Sequence, residues 1–333
     1  YNRELLKQYG LLAIDTSYGE EGADTERTKL HLLQYMNKNL EIPQGAVVAN
    51  YRDLTAVHAD NATLSDVSFL SDGEGAVLKY QIVKYMKEKT GLSHVEKAWD
   101  RMTVSEIEEK YGQLESEKNS SFGQINDILN EINEVRRQEE KEEVSIENPA
   151  EQVERMRHSL TLDLAVRDSS VIMRREINLP DYISHRKYEE GAGLWSGQSS
   201  PGGVVNDYLF RRYLLENCGY YGEIKEGSQL GYQLEYLLYG KSNDFDNLDA
   251  FAEQMFRVRY VLNAAYLFSN GSKVSQAATL ATTVTAGIGS PQLSEVVKVT
   301  ILFSWCYAET MQDLRILFDG NGVARVKDDS TWN

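Results

Sequence analysis

The sequence predicts an α+β fold that is predominantly helical, with a mainly helical C-terminal half, short strands in the N-terminal and middle regions, and a projecting helical hairpin. Three observations predict it. From Val204 to Phe318 apolar residues recur at helical spacing. The runs 46–57 and 64–70 are richer in β-branched and apolar residues and are split by a turn, and 162–166 and 171–177 lie where helical periodicity is lost. Between 103 and 158, Phe122, Ile125, Ile128, Leu129, Ile132 and Val135 form a narrow apolar stripe among charged residues. With 333 residues, 41% of them hydrophobic and 10% aromatic, the chain has enough apolar side chain for a packed core.

In chain order, Thr25 to Leu40 is a helix with one apolar face, closed by Pro43. The runs 46–57 and 64–70, split by Asp60-Asn61-Ala62, are expected as strands. Ser71-Asp72-Gly73-Glu74 starts a helix through Met86, and Ser71 and Glu74 have capping-box spacing. The stripe at 122–135, the solvated Glu139-Glu140-Lys141-Glu142-Glu143 and a second helical stretch with Val153, Met156 and Leu160 suit an antiparallel hairpin. Its stripe serves either intramolecular pairing or a partner. Leu162–Val166 and Val171–Ile177 suit strands or an extended crossing segment, 188–203 a Gly- and Ser-rich loop, and Ala277–Ala286 a helix able to approach its neighbours closely. After the turn Asp319-Gly320-Asn321-Gly322, Val323–Val326 is expected as a short strand. The organisation that follows is an N-terminal part at 1–102, a charged insertion at 103–158 and a C-terminal part at 159–333, the first and last forming one body.

Charge and motifs mostly exclude. Lys+Arg 35 against Asp+Glu 51 gives a net charge of −16, which argues against a nucleic-acid partner and against attachment to anionic lipid by surface charge. Half of that excess lies in the insertion, with 15 acidic and 7 basic residues between Ser105 and Arg157. The longest apolar stretch, Val296–Phe318, is broken by Lys298, Glu309, Gln312, Asp313 and Arg315, as in a buried helix. Cys306 reads as a buried thiol, with a disulfide to Cys218 left open. The five histidines have no zinc-binding spacing. Ser184 and His185, adjacent on an extended chain, would point to opposite faces. Asp72-Gly73-Glu74-Gly75 puts carboxylates where a phosphate loop needs donors. The acidic run from Asp244 has Met255 where a calcium loop carries Glu, so helix capping by Asp244 or Asp246 accounts for it better. Catalytic, cofactor and metal residues are therefore left unassigned. Tyr220, Tyr221 and Tyr232–Tyr239 could line a sugar groove, but core packing is favoured.

The residues singled out are structural or interaction candidates. Gly240 suits a left-handed helix stop. Glu235 and Glu309, and Arg257 and Arg259, lie in otherwise apolar helices. A buried carboxylate needs a cation or several donors, so either glutamate is expected to pair with either arginine. Trp305 opens the run Trp-Cys-Tyr-Ala-Glu-Thr-Met-Gln-Asp ending at Asp313.

Those stretches carry a family resemblance. Glu235–Lys241, Asp244 with Asn247-Leu248, Arg259 with Asn263, Trp305–Asp313, Lys327 and Trp332, together with Tyr1–Leu6 and Tyr9-Gly10-Leu11, resemble an uncharacterised Gram-positive bacterial family. Gln233 departs from it, standing where an acidic residue is expected. The resemblance implies one N-terminal membrane helix upstream of this chain, an extracytoplasmic domain, and genes found with Tad/Flp-type pilus or secretion components. The favoured reading is a non-enzymatic, membrane-anchored protein that assembles with such machinery through other membrane or secretion-type proteins. Its contact with the membrane would run only through the upstream helix. The alternative is a cell-envelope hydrolase or carbohydrate-binding domain.

Overall fold

A computed structural model describes residues 2–16, 18, 24–40, 58–65, 67–91, 103–146, 153, 161–177, 199–226 and 230–332. The chain divides into two compact units, one of residues 1–98 and 178–218, the other of residues 99–177 and 219–333. No helix among the described residues is long and apolar enough to cross a membrane.

The first unit contains α1 (Asn2–Tyr9), α2 (Thr25–Leu40), α3 (Asp72–Thr90) and α6 (Val204–Asn217). Its core forms where α3 meets α6, with Ile82, Val83 and Met86 against Leu209, Tyr213 and Leu11. Two ion pairs flank this contact, Lys79–Asp207 at 3.0 Å and Lys89–Glu216 at 2.9 Å. The Tyr213 hydroxyl donates to the Tyr9 carbonyl at 2.6 Å and so ties α6 to the end of α1. Gly10 follows at φ 63°, where a Cβ would stand 2.6 Å from the Tyr85 ring. The expected Ser71/Glu74 capping box is not formed. The Ser71 side chain makes no cap bond, and Gly73, Glu74 and Gly75 take left-handed conformations (φ 60°, 56° and 83°) that turn Glu74 away from that role. Such a box occurs instead at Thr103 and Glu106, at the start of the helix that begins at Val104 in the second unit.

The second unit is built on α4 (Val104–Gln138), α5 (Thr161–Ala165), α7 (Gln233–Tyr239), α8 (Asp244–Ser269), α9 (Gly271–Val284) and α10 (Pro291–Phe318). The α10 helix starts with Ser290 as N-cap and Pro291 in the first turn. It packs against α4, α5, α8 and α9. Phe122, Ile125 and Ile128 of α4 join Phe256, Tyr260 and Leu267 of α8 and Val297, Phe303 and Leu314 of α10 in one core. Ala277 and Ala281 are fully buried on α9, where small side chains let that helix lie close to α10. The charged helix at 104–138 is thus packed along the body by its stripe rather than held out from it. Of the expected second helix of the hairpin, all but Val153 lies outside the described residues.

The α+β expectation is overturned. Among the described residues there is no sheet, only an isolated antiparallel bridge between Tyr220 and Glu223. Each expected strand that falls among the described residues lacks a second strand to pair with. Residues 161–165 form α5, whose Leu162 N–H is accepted by Asp249 Oδ1 at 3.0 Å. Residues 169–171 form a 3₁₀ turn capped by Asp168. The extended piece after it bonds to the start of α8, with the Phe245 N–H on the Met173 carbonyl and the Ile177 N–H on the Ser242 carbonyl. Residues 64, 65 and 67–69 are irregular and lead into α3. At 323–326 the carbonyls that a strand would offer a partner, those of Ala324 and Arg325, are taken by the Arg259 guanidinium. The run 46–57 lies outside the described residues.

Candidate functional site

The second unit gathers four buried charged side chains, Arg259, Glu309, Asp313 and Lys327, into one cluster, and a cleft opens beside it at Glu309. Arg259 and Asn263 lie one turn apart on α8, and Glu309 and Asp313 lie one turn apart on α10. The facing turns of two packed helices therefore present a guanidinium and an amide to two carboxylates. Arg259 Nε and Nη2 both donate to Asp313 Oδ2, at 3.0 and 2.7 Å, and Asn263 Nδ2 donates to the same oxygen at 2.9 Å. Asn263 Nδ2 also reaches Thr310 Oγ1 at 3.1 Å. The C-terminal segment closes the group. Lys327 Nζ donates to Glu309 Oε1 and to the Thr331 carbonyl, and stands 2.8 Å from Asp313 Oδ1, an ion contact outside hydrogen-bond angles. Asp313 is 0% exposed, and Arg259, Glu309 and Lys327 are also buried.

This arrangement corrects the expected pairings. The carboxylate that Arg259 grips is Asp313, and the cation on Glu309 is Lys327. Arg257 faces another way and holds Glu108 of α4 through both carboxylate oxygens, at 3.1 and 3.0 Å. Glu235 takes the Tyr221 N–H on Oε1 at 2.9 Å, and its buried Oε2 has no hydrogen-bond partner. Burial pushes the Glu235 carboxyl up from its ordinary range against the pull of that N–H, and the charge of Asp244 adds to the rise. Gly240 ends α7 at φ 61°, its N–H on the Tyr236 carbonyl at 2.8 Å. Tyr221 and Tyr232 pack together with ring centroids 5.9 Å apart beside a cluster formed by Phe245 and Leu248. The N-cap of α8 is Asn243, which accepts the Asp246 N–H at 2.8 Å, and not either aspartate. Cys218 and Cys306 are both buried thiols with no disulfide between them.

Beside the ion cluster lies a cleft of about 300 Å³, lined by Lys273 and Gln276 of α9, Trp305, Glu309 and Gln312 of α10, and Trp332. The α10 residues follow one another at helical spacing, with Ala308 among them leaving room for the opening. Trp332 is held by Tyr266 (centroids 5.3 Å apart) and by Lys273 Nζ, 5.6 Å from its ring. The Tyr266 hydroxyl and the Asn270 amide both bond Asp329 and, with Lys273 nearby, keep that carboxyl below its usual range. Of the residues singled out in the sequence, the cleft unites Trp305 and Glu309, and Arg259 lies in the cluster beside it. Gly240, Glu235 and Arg257 do not line it. Asp313 and Lys327 were the partners that residue patterns missed. Asp313 stands one helical turn beyond Glu309 on the same face, which is the signal that could have found it. Among the described residues, no group of three or more His, Cys, Asp or Glu side chains could hold a metal ion.

A family model described as a family of unknown function, DUF5702, matches residues 139–333 of the chain. That stretch contains the ion cluster and every side chain of the cleft. No curated protein and no solved structure matches the chain.

Proposed function

The chain belongs to the DUF5702 family, a family of unknown function, and from that premise we propose a non-enzymatic assembly role. The protein is read as the extracytoplasmic part of a single-pass membrane-anchored protein of Gram-positive bacteria that assembles with Tad/Flp-type pilus or secretion components. The observation that carries this reading is α2. None of its residues is buried, and Leu32, Met36 and Leu40, one helical turn apart, are 40–43% exposed. Three large apolar side chains aligned on one side of a helix and left open to solvent suit a helix-in-groove or helix-pairing contact. The occupant that fits is an apolar helix of another envelope protein. The clustered charges of Arg259, Asp313, Lys327 and Glu309 support the same reading, because they are engaged with one another inside the protein.

The test is site-specific photo-crosslinking in the native cell, with the full-length protein carrying the reactive group at Leu32. Adducts with products of pilus or secretion genes are expected, and Met36→Glu should remove them while leaving helical content unchanged. Adducts only with a second copy of the protein, or recovery of the protein in the cytoplasmic fraction, would overturn the reading.

A further inference from the structure

We propose that the cleft between α9, α10 and the C-terminal segment is a binding site for one neutral sugar ring. Its lining has the chemistry of such a site. The indoles of Trp305 and Trp332 supply apolar surface for the C–H face of a pyranose, and the exposed amides of Gln276 and Gln312 supply paired donors and acceptors for hydroxyl groups. A volume of about 300 Å³ stands at the small end of ligand pockets, with room for a ring rather than a chain. Charge decides the class of ligand. Glu309, on the cleft wall, is neutralised by Lys327, so a cationic ligand finds no free carboxylate there. Lys273 lies over the Trp332 ring and beside the Asp329 carboxylate, so the one cation on the wall is already partly compensated against an anionic ligand. Aromatic faces, amides and balanced charge together select a neutral polyhydroxylated ligand.

The site is also tied to the fold beneath it. Lys327 and Trp332 belong to the same short C-terminal segment, and Lys327 fixes that segment to α10 through Glu309. Trp332 is thereby positioned by a buried ion pair rather than left on a free end.

The test uses the whole chain and saturation-transfer NMR with three probes, methyl β-D-glucopyranoside, methyl N-acetyl-β-D-glucosaminide and glucuronate. Saturable transfer from at least one of the neutral glycosides is expected, with weak millimolar affinity. Trp305→Ala should weaken it at least tenfold. Gln312→Ala, at an exposed position where folding is not at stake, should weaken it several-fold with an unchanged melting curve. Transfer from glucuronate alone would make the site an anion site and overturn the proposal. So would silence from both neutral glycosides, or neutral binding that Gln312→Ala and Trp332→Ala both leave unchanged.

Discussion

At the scale of single residues, the ion cluster is costly to break and cheap to replace. Removing one partner of a buried pair leaves an uncompensated charge and costs about 3–5 kcal/mol, whereas removing both and filling the space costs far less. Lys327→Met should therefore lower the unfolding free energy by about 3–5 kcal/mol, since Glu309 loses its ion partner. Lys327→Met with Glu309→Leu should recover most of that loss in a urea titration; a double variant as weak as the sum of its singles would contradict the pairing. Glu235 behaves in the opposite sense. Burial raises its folded-state pKa, so the native protein holds the proton where the unfolded chain, near its usual value of about 4.3, releases it. The stability this lends is present below the unfolded value and is lost as pH rises through the folded one. Glu235→Gln can keep the Tyr221 N–H bond while removing the charge, so its stability relative to the parent should rise between pH 4 and pH 7. A difference that does not change with pH would refute the assignment of cost to the ionised form.

At the scale of elements, helices were legible and strands were misread, for one physical reason. A helix closes its hydrogen bonds within itself, so a periodic run such as Thr25–Leu40 or a capped one such as Pro291–Phe318 can be recognised from its own residues. A strand needs another backbone, which no run of β-branched residues can announce. Val171–Ile177 found the end of a helix as its partner, and Ala324 and Arg325 found an arginine side chain. The stripe on α4 was equally visible in the sequence, but its destination was not. An apolar stripe states that something must cover it, and here the cover is α8 and α10, with Arg257 gripping Glu108 across the contact. The same limit applies to the cleft. Trp305 and Glu309 could be singled out because they interrupt or decorate one helix. The lysine and tryptophan that complete the arrangement arrive from a segment whose path depends on tertiary bonds.

At the scale of the whole molecule, the charge of −16 sets repulsion between surface carboxylates against a modest number of exposed ion pairs. The two effects respond oppositely to salt, so magnitudes must decide between them. Exposed pairs such as Arg137–Glu143 and Lys141–Glu139 contribute little, because water and mobile ions screen them, and they weaken further as salt is added. The buried cluster of Arg259, Asp313, Lys327 and Glu309 is excluded from water, so mobile ions screen it little. What salt chiefly removes is then the long-range repulsion, because the Debye length falls from about 30 Å at 0.01 M to about 10 Å at 0.1 M. Compaction brings the excess carboxylates together, and the unfolded chain separates them, so screening favours the folded state. Raising NaCl from about 0.01 to 0.15 M should stabilise the protein by about 1 kcal/mol, roughly 2–4 °C in melting temperature. Sodium chloride is the salt to use, since sulfate or phosphate would strengthen apolar burial as well. A melting temperature that falls over this range would mean that the exposed pairs outweigh the net charge, and the surface of α4 and its following loop would then be a network rather than a solvated face.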